Sequence, residues 1–135
     1  MCNSLIMMTT TSSNPVIVDG VIPLTTISRR RGQAVNSGSN SILLGRAGYY
    51  KVNATFTFTG QTVGDVVIQA QKNGFDIVGM TASTTITTAT TETRSLTITG
   101  IVRVFCNEDL ATLTFINTGV AITTTNVEVD VEYLG

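Results

Sequence analysis

Residues 49–58, which read YYKVNATFTF, decide the fold class of this 135-residue chain. Apolar and polar side chains alternate through the stretch, which is the pattern of a β-strand with one buried face. The apolar side of this strand carries Tyr50, Val52, Ala54, Phe56 and Phe58. The other side, which we expect to face away from the core, carries Tyr49, Lys51, Asn53, Thr55 and Thr57.

The composition extends this assignment to the rest of the chain. It includes 25 Thr, 15 Val and 12 Ile, and β-branched side chains favour the pleated surface of a sheet. Residues 66–71 alternate again and lead through Lys72-Asn73-Gly74 to a partner strand at residues 75–80, because Asn-Gly between two such runs is a strong hairpin signal. We therefore predict an all-β fold with negligible helix, a sandwich or barrel of eight to ten strands.

The domain organisation follows from the ends of this pattern. Residues 1–14 are polar and rich in Ser and Thr, apart from the apolar residues 5–8, and we predict that they form a flexible N-terminal arm before one folded domain over residues 15–135. Residues 21–28 predict a strand interrupted by Pro23, which suits a sheet edge. The Thr-rich residues 84–93 fit either a strand or an exposed loop.

Several classes of chemistry are excluded by the residue types present. The chain has no His, so it has no Ser-His-Asp triad and no imidazole metal site. Cys2 and Cys106 are too far apart in sequence to suggest a zinc site, and Cys106 ends an apolar run, which predicts a small buried side chain. Glu108 and Asp109 favour a turn over a calcium site. We expect no catalytic residue, no cofactor and no metal, and therefore no enzyme.

Charge and hydropathy restrict the partners. A net charge of −1 argues against a dedicated nucleic-acid binder, which needs clustered Lys and Arg to neutralise phosphates. The longest apolar run, residues 5–8, is far shorter than the roughly 20 residues of a membrane-spanning helix, so we expect no membrane insertion. No basic segment precedes that run, which predicts a chain without a signal peptide, folded in a reducing cytoplasm.

Two segments are candidates for docking to a partner. The apolar patch of the predicted arm, which would fit a groove in another protein, comprises Leu5, Ile6, Met7 and Met8. The second segment is the run of Arg29, Arg30 and Arg31, which we place in a loop because Gly32 follows it. A run of cations fits either a solvated loop or contact with an acidic protein surface or phosphate.

Three short motifs occur in an informative order. The first is Gly48-Tyr49-Tyr50-Lys51-Val52, the second is residues 66–70 with the Lys72-Asn73-Gly74 turn, and the third is Asn107-Glu108-Asp109-Leu110 with Leu113 and Phe115. Residues 21–135 thereby resemble the ten-stranded jelly roll of the tumour-necrosis-factor (TNF) and complement globular-head family. The sequence departs from that family at Val52, where the family has an aromatic residue, and in having no collagen-like stalk before the domain.

The resemblance implies a trimer and does not imply an enzyme. A compact chain without a leader is more similar to the trimeric jelly rolls that bacteriophages carry on their virions as head-decoration, head-fibre or tail modules. We therefore expect a structural virion protein, a homotrimer fixed to capsid or tail proteins by its arm and basic run. The alternative is a receptor- or glycan-binding head that contacts a host cell surface; few loop aromatics and no Trp favour the scaffold. A bacterial spore- or cell-surface jelly roll is a third reading.

The resemblance also predicts where copies of the chain meet. It places residues 49–59, residues 96–105 and the last strand in one sheet, whose face away from the core would form the trimer interface. The residues of that face are Tyr49, Lys51, Ile101, Arg103, Phe105, Glu128, Asp130 and Glu132. Three acids on one strand face repel each other unless they are paired, so we expect Lys51 and Arg103 to be their cross-strand partners.

Overall fold

The computed structural model describes residues 4–106 and 110–135 and folds them into two antiparallel sheets packed face to face. In chain order the strands are β1 (Leu5–Thr10), β2 (Asn14–Val16), β3 (Gly20–Val21), β4 (Thr26–Arg31), β5 (Val35–Gly38), β6 (Ser41–Leu44), β7 (Gly48–Gly60), β8 (Gly64–Lys72), β9 (Phe75–Ile86), β10 (Thr93–Val104), β11 (Ala111–Asn117) and β12 (Ile122–Tyr133). These residues contain no helix, and the predicted all-β fold is confirmed. None of them forms a helix long and apolar enough to cross a membrane.

The first sheet has the strand order β10-β7-β12-β1-β4, with β2 paired to β12. The second sheet has the order β5-β6-β11-β8-β9, with β3 paired to β11. β7 pairs along almost its whole length with β10 on one side and β12 on the other, so the predicted grouping of these three strands is confirmed. The alternation of residues 49–58 is confirmed as well, because the whole apolar side of the strand is buried.

The core lies between the two sheets and is almost entirely apolar. Phe56 of the first sheet meets Phe115 of the second with ring centroids 5.1 Å apart. The buried Tyr50 hydroxyl is well bonded: it donates to the Arg46 carbonyl at 2.7 Å and accepts from the Arg46 N–H at 3.0 Å. Burial raises the pKa of Tyr50. Buried polar groups are stable only with such partners.

Two glycines have different roles in this fold, one in a tight turn and one in a close approach between the sheets. Asn73 and Gly74 have φ of 53° and 84°, the left-handed pair that a tight hairpin turn requires, so the predicted β8–β9 hairpin is confirmed. Gly100 faces Met80, and a Cβ at residue 100 would lie 2.8 Å from Met80 Cγ. The β10–β7 register continues through Gly100 without a shift, so this glycine serves close packing and does not mark a bulge.

Residues 5–10 form strand β1, so the prediction of a flexible arm over residues 1–14 is wrong for this segment. β1 lies between β12 and β4 and pairs with both. Ile6 and Met8 point into the core with 0% and 2% of their surface exposed, which makes them unavailable to a partner's groove. Leu5 and Met7 point outward and are half-buried. The sequence concealed the strand because a strand with apolar residues on both faces shows no alternation.

The neighbouring arginine run is also a strand and not a loop. The predicted strand over residues 21–28 is divided at the segment containing Pro23: β3 joins the second sheet, and β4, which includes Arg29, Arg30 and Arg31, joins the first. All six residues of β4 are exposed because it is the last strand of the sheet and pairs only with β1. Charged residues are common on such edges, where they discourage unwanted strand pairing.

The Thr-rich residues 84–93, which fitted either a strand or an exposed loop, contain both. β9 extends to Ile86, β10 begins at Thr93, and a turn joins them. Cys106 is exposed, so the prediction that it is buried is wrong. The predicted turn at residues 107–109, like the first three residues of the predicted arm, lies outside the described residues.

Candidate functional site: the outer face of the first sheet

The candidate site is the outer face of the first sheet, meaning the side that points away from the second sheet. Seven of the eight residues predicted for the trimer interface alternate with buried residues on β7, β10 and β12, and Phe105 follows the end of β10. Three of them leave large apolar groups in solvent, with exposed fractions of 45% for Tyr49, 52% for Ile101 and 47% for Phe105. Three large apolar groups exposed on one sheet face are a feature of surfaces that contact other proteins.

At the β10 end of this face, Arg103 lies between two aromatic rings. Its guanidinium carbon is 5.6 Å from the Tyr49 ring centroid and 4.5 Å from that of Phe105. We call these three residues the Arg103 stack. Lys72 adds a second cation, 5.1 Å from the Phe105 centroid, and donates to the Arg103 carbonyl at 2.9 Å. Contacts between cations and rings contribute about 0.5–1 kcal/mol at exposed sites, so the stack orients the arginine.

The acidic stripe, meaning Glu128, Asp130 and Glu132, follows β12 along the middle of the face. Asp130 lies between Asn53 on β7 and Met7 on β1. Its Oδ1 atom is buried and has no hydrogen-bond partner among the described residues. Burial raises the pKa of Asp130, and the neighbouring charge of Glu128 raises it further. The described residues therefore provide no hydrogen-bond donor to this carboxylate oxygen.

Of the two cations predicted to pair with the acidic stripe, Lys51 lies beside it and Arg103 does not. Lys51 is the register partner of Glu132, and the two share a depression of about 200 Å³ with Asn53 and Asp130. Within the described residues, however, no ion pair of 4.0 Å or less joins Lys51 to the stripe. The prediction that Arg103 pairs with the stripe is wrong within one chain, because Arg103 stacks on Tyr49 and Phe105 instead.

The stripe is not arranged to hold a metal ion. Alternate residues on one strand face are about 7 Å apart, which is too far for three carboxylates to converge. In the part of the chain that the structure describes, no three His, Cys, Asp or Glu side chains come together as a metal site.

The predicted docking residues border the same face. A depression of about 250 Å³ has Leu5 and Met7 on its floor, Asp130 and Glu132 on one side and Arg29 on the other. A second depression, of about 380 Å³, lies along Ser28 and the three arginines of β4. Arg30 Nε also donates to the Val35 carbonyl at 3.2 Å, which ties the edges of the two sheets together.

Sequence reasoning did not identify the tip of the β8–β9 hairpin as a functional surface. Phe75 is 78% exposed and Val78 is 98% exposed. A cleft of about 180 Å³ separates this hairpin from β10, with Lys72, Phe75 and Asp76 on one side and Ile101 and Arg103 on the other. The sequence contained an indication of this surface, because a large aromatic residue directly after an Asn-Gly turn lies at the tip of a hairpin and is too far from the core to be buried in it.

No protein-family model matches the sequence, and no curated protein matches it. Solved structures do match. PRD1 vertex protein P5 is 14% identical, with 98% of this chain and 97% of that chain covered and a TM-score of 0.66. Eiger TNF from S. frugiperda is 11% identical over 98% and 92% of the two chains, with a TM-score of 0.72. The globular domain of zebrafish complement 1qA is 4% identical over 97% and 96%, with a TM-score of 0.67. The fold is the TNF-like jelly roll.

The TNF-like jelly roll is the fold that the sequence motifs predicted, and the resemblance to TNF-like and complement globular heads is confirmed. These neighbours include a phage protein, the PRD1 vertex protein. They are heads of the TNF and complement type and a vertex protein, and they are not enzymes. Because all the identities are low, the likeness concerns the fold.

Proposed function

We propose that this chain is a non-enzymatic structural module of a phage virion and that it works as a homotrimer. The observation that carries the proposal is the outer face of the first sheet. It combines exposed Tyr49, Ile101 and Phe105 with a buried, unpartnered carboxylate oxygen on Asp130. Both features are unfavourable in a monomer, and both are relieved when a second protein surface covers the face.

The likeness to PRD1 vertex protein P5 supports the virion setting, because it extends over 98% of this chain and 97% of that one. Two further TNF-type structures, Eiger TNF and murine APRIL, match over 98% of this chain. The basic edge strand β4 is the surface that we propose for attachment to the particle. Arg29, Arg30 and Arg31 would face acidic groups on a capsid or tail protein.

The trimer is tested by measuring mass in solution. Light scattering coupled to size-exclusion chromatography should give three times the 14.3 kDa mass of one chain. Phe105→Asp should release monomers, because burying an unpaired carboxylate in an interface costs several kcal/mol. Thr87→Asp, in the β9–β10 turn away from the face, is the matched control and should leave the trimer intact. A mass of one chain at micromolar concentration rejects the trimer.

The virion setting needs a separate experiment. Antibodies raised against the chain should label virus particles purified from the source culture when viewed by immunogold electron microscopy. Pre-incubating the particles with an excess of the free protein should not remove the label, since the assembled copies stay in place. Label confined to cell surfaces or free protein, with clean particles, rejects a virion role.

A second candidate function is a receptor- or glycan-binding head, and the β8–β9 hairpin favours it. An exposed aromatic ring such as Phe75 beside a cleft with two cations is a surface on which a sugar ring can stack and an acidic group can bind. A glycan array probed with the wild type and with Phe75→Ala tests this function. Binding that requires Phe75 supports the head, and an empty array leaves the scaffold as the function.

A further inference from the structure

The guanidinium of Arg103 is held in place but has no hydrogen-bond acceptor in the described part of the chain. The ring centroids of Tyr49 and Phe105 lie 5.6 and 4.5 Å from its guanidinium carbon, so the rings contact the group without accepting a conventional hydrogen bond from its N–H groups. An arginine that contacts aromatic rings and has N–H groups to spare can bind a carboxylate through two parallel hydrogen bonds.

The complementary group lies elsewhere on the same face. Asp130 has a buried Oδ1 atom without a partner among the described residues. Asn53 and Met7 flank it on the adjacent strands, and Lys51, Glu132 and Arg29 line the depressions beside it. The described part of one chain therefore carries a cation and an anion without hydrogen-bond partners, at two separate positions on one face.

The two groups cannot meet within one chain. The register places Arg103 opposite Tyr49, and Asp130 opposite Asn53, on the two sides of β7. With about 4.8 Å between strands and about 3.3 Å per residue along them, the two backbones are ~16 Å apart. The rigid stack on Tyr49 and Phe105 also prevents Arg103 from reaching across the sheet.

We propose that Arg103 of one copy binds the carboxylate of Asp130 in the next copy, so that the copies join head to tail. This inference rests on the proposed self-association and names the two residues that form the contact between copies. Beside the ion pair, Ile101 and Phe105 of one copy would cover Leu5 and Met7, which lie beside Asp130 in the other. Contacts between two different surfaces close into a ring when the rotation between copies allows it, and a ring of three leaves neither group unpaired.

Charge reversal tests the pair in the full-length protein. Arg103→Glu and Asp130→Arg should each weaken association by at least ~100-fold, because each opposes like charges in a desolvated contact. The double variant, with both changes in one chain, should regain association to within ~10-fold of wild type. Arg29→Glu combined with Asp130→Arg is the matched control and should not regain it, since Arg29 lies beside Asp130 in its own chain. Circular dichroism and the unfolding midpoint of each variant establish that it is folded.

An equimolar mixture of the two single variants tests the arrangement. A contact between one Arg103→Glu chain and one Asp130→Arg chain joins opposite charges, whereas a contact between two chains of the same variant joins like charges. A ring with an odd number of chains always contains at least one contact between two chains of the same variant. A head-to-tail trimer should therefore stay dissociated in the mixture. Full recovery of association would indicate a two-fold contact and overturn the head-to-tail arrangement.

The outcomes separate this inference from the proposed function. If the wild type is a trimer and the double variant does not reassociate, the Arg103–Asp130 pair is wrong while the trimer stands. If the wild type is a monomer at all accessible concentrations, the proposed trimer fails and the pair fails with it.

Discussion

The two faces of the first sheet are built from the same strands but differ in how completely their groups are satisfied. On the inner face, Ile6, Val52 and Phe56 are fully buried, and the Tyr50 hydroxyl has hydrogen-bond partners. On the outer face, apolar side chains remain in solvent and Asp130 holds an unpartnered oxygen. The inner face accounts for the fold, whereas the outer face is the surface that we propose for contact with another copy of the chain.

Two carboxylates sharpen the contrast. Glu92, in the turn before β10, accepts hydrogen bonds from Thr87 Oγ1 at 2.8 Å, from the N–H groups of Thr87 and Thr88, and from Arg94 Nε at 2.7 Å. The Thr87 hydroxyl and Arg94 lower the pKa of Glu92 to about 2. Burial raises the pKa of Asp130 instead. One carboxylate stabilises its loop, and the other destabilises the isolated chain.

The largest effect is expected on the inner face of β1. Ile6→Ala should lower the free energy of unfolding by about 2–4 kcal/mol, because it leaves a cavity between the sheets. Leu5→Ala, one residue away on the outer face, should cost less than about 1 kcal/mol in a monomer. Urea unfolding of both variants in the Phe105→Asp background, which we expect to be monomeric, measures the difference. Equal and small losses would mean that β1 contributes little to the sheet.

A smaller effect of opposite sign is expected at Asp130. Asp130→Asn should raise the free energy of unfolding of the monomeric Phe105→Asp protein by about 1 kcal/mol at neutral pH, since it removes a charge that the partial burial of the carboxyl group disfavours. The same change in the wild-type background should weaken association.

The pH dependence of that effect follows from the sign of the shift. Because the folded pKa of Asp130 is raised, its protonated form is favoured by folding. Its contribution is fully present below its ordinary pKa and is lost as the pH rises through the folded value. The charge of Glu128 on the same strand also favours the protonated form, and Lys51, Glu132 and Arg29 line the depressions beside the group. The stability gap between Asp130→Asn and its parent should open with rising pH; a gap that closes instead contradicts the assignment.

The smallest effect is expected at Glu92 and should stay local. Its folded pKa is lowered, so its stabilising contribution is present above its ordinary pKa and is lost as the pH falls from about 4.5 to about 2. Hydrogen-exchange protection factors of the Thr87 and Thr88 amides should fall over that interval, and Glu92→Gln should lower them at neutral pH. Thr114, in the middle of β11, is the internal reference. Unchanged protection would show that Glu92 does not hold the turn.

The sequence by itself determined the elements whose pattern is local. Alternation located the buried side of β7, and Asn73-Gly74 located the β8–β9 hairpin, because side-chain period and turn geometry depend only on adjacent residues. The order of short motifs was enough to predict the TNF-like jelly roll and the outward position of the acidic stripe.

Only the tertiary structure decided the positions of β1 and β4 and the partners of the charged groups. β1 was hidden because its pairing joins Leu5 to Glu132 at the opposite end of the chain, and such pairing depends on surfaces that do not exist until the sheet forms. Within one chain, Arg103 was assigned to the wrong partner because its choice between a carboxylate and the rings of Tyr49 and Phe105 depends on distances across strands. Local patterns fix which face a residue occupies, but contacts between residues distant in sequence decide what it meets there.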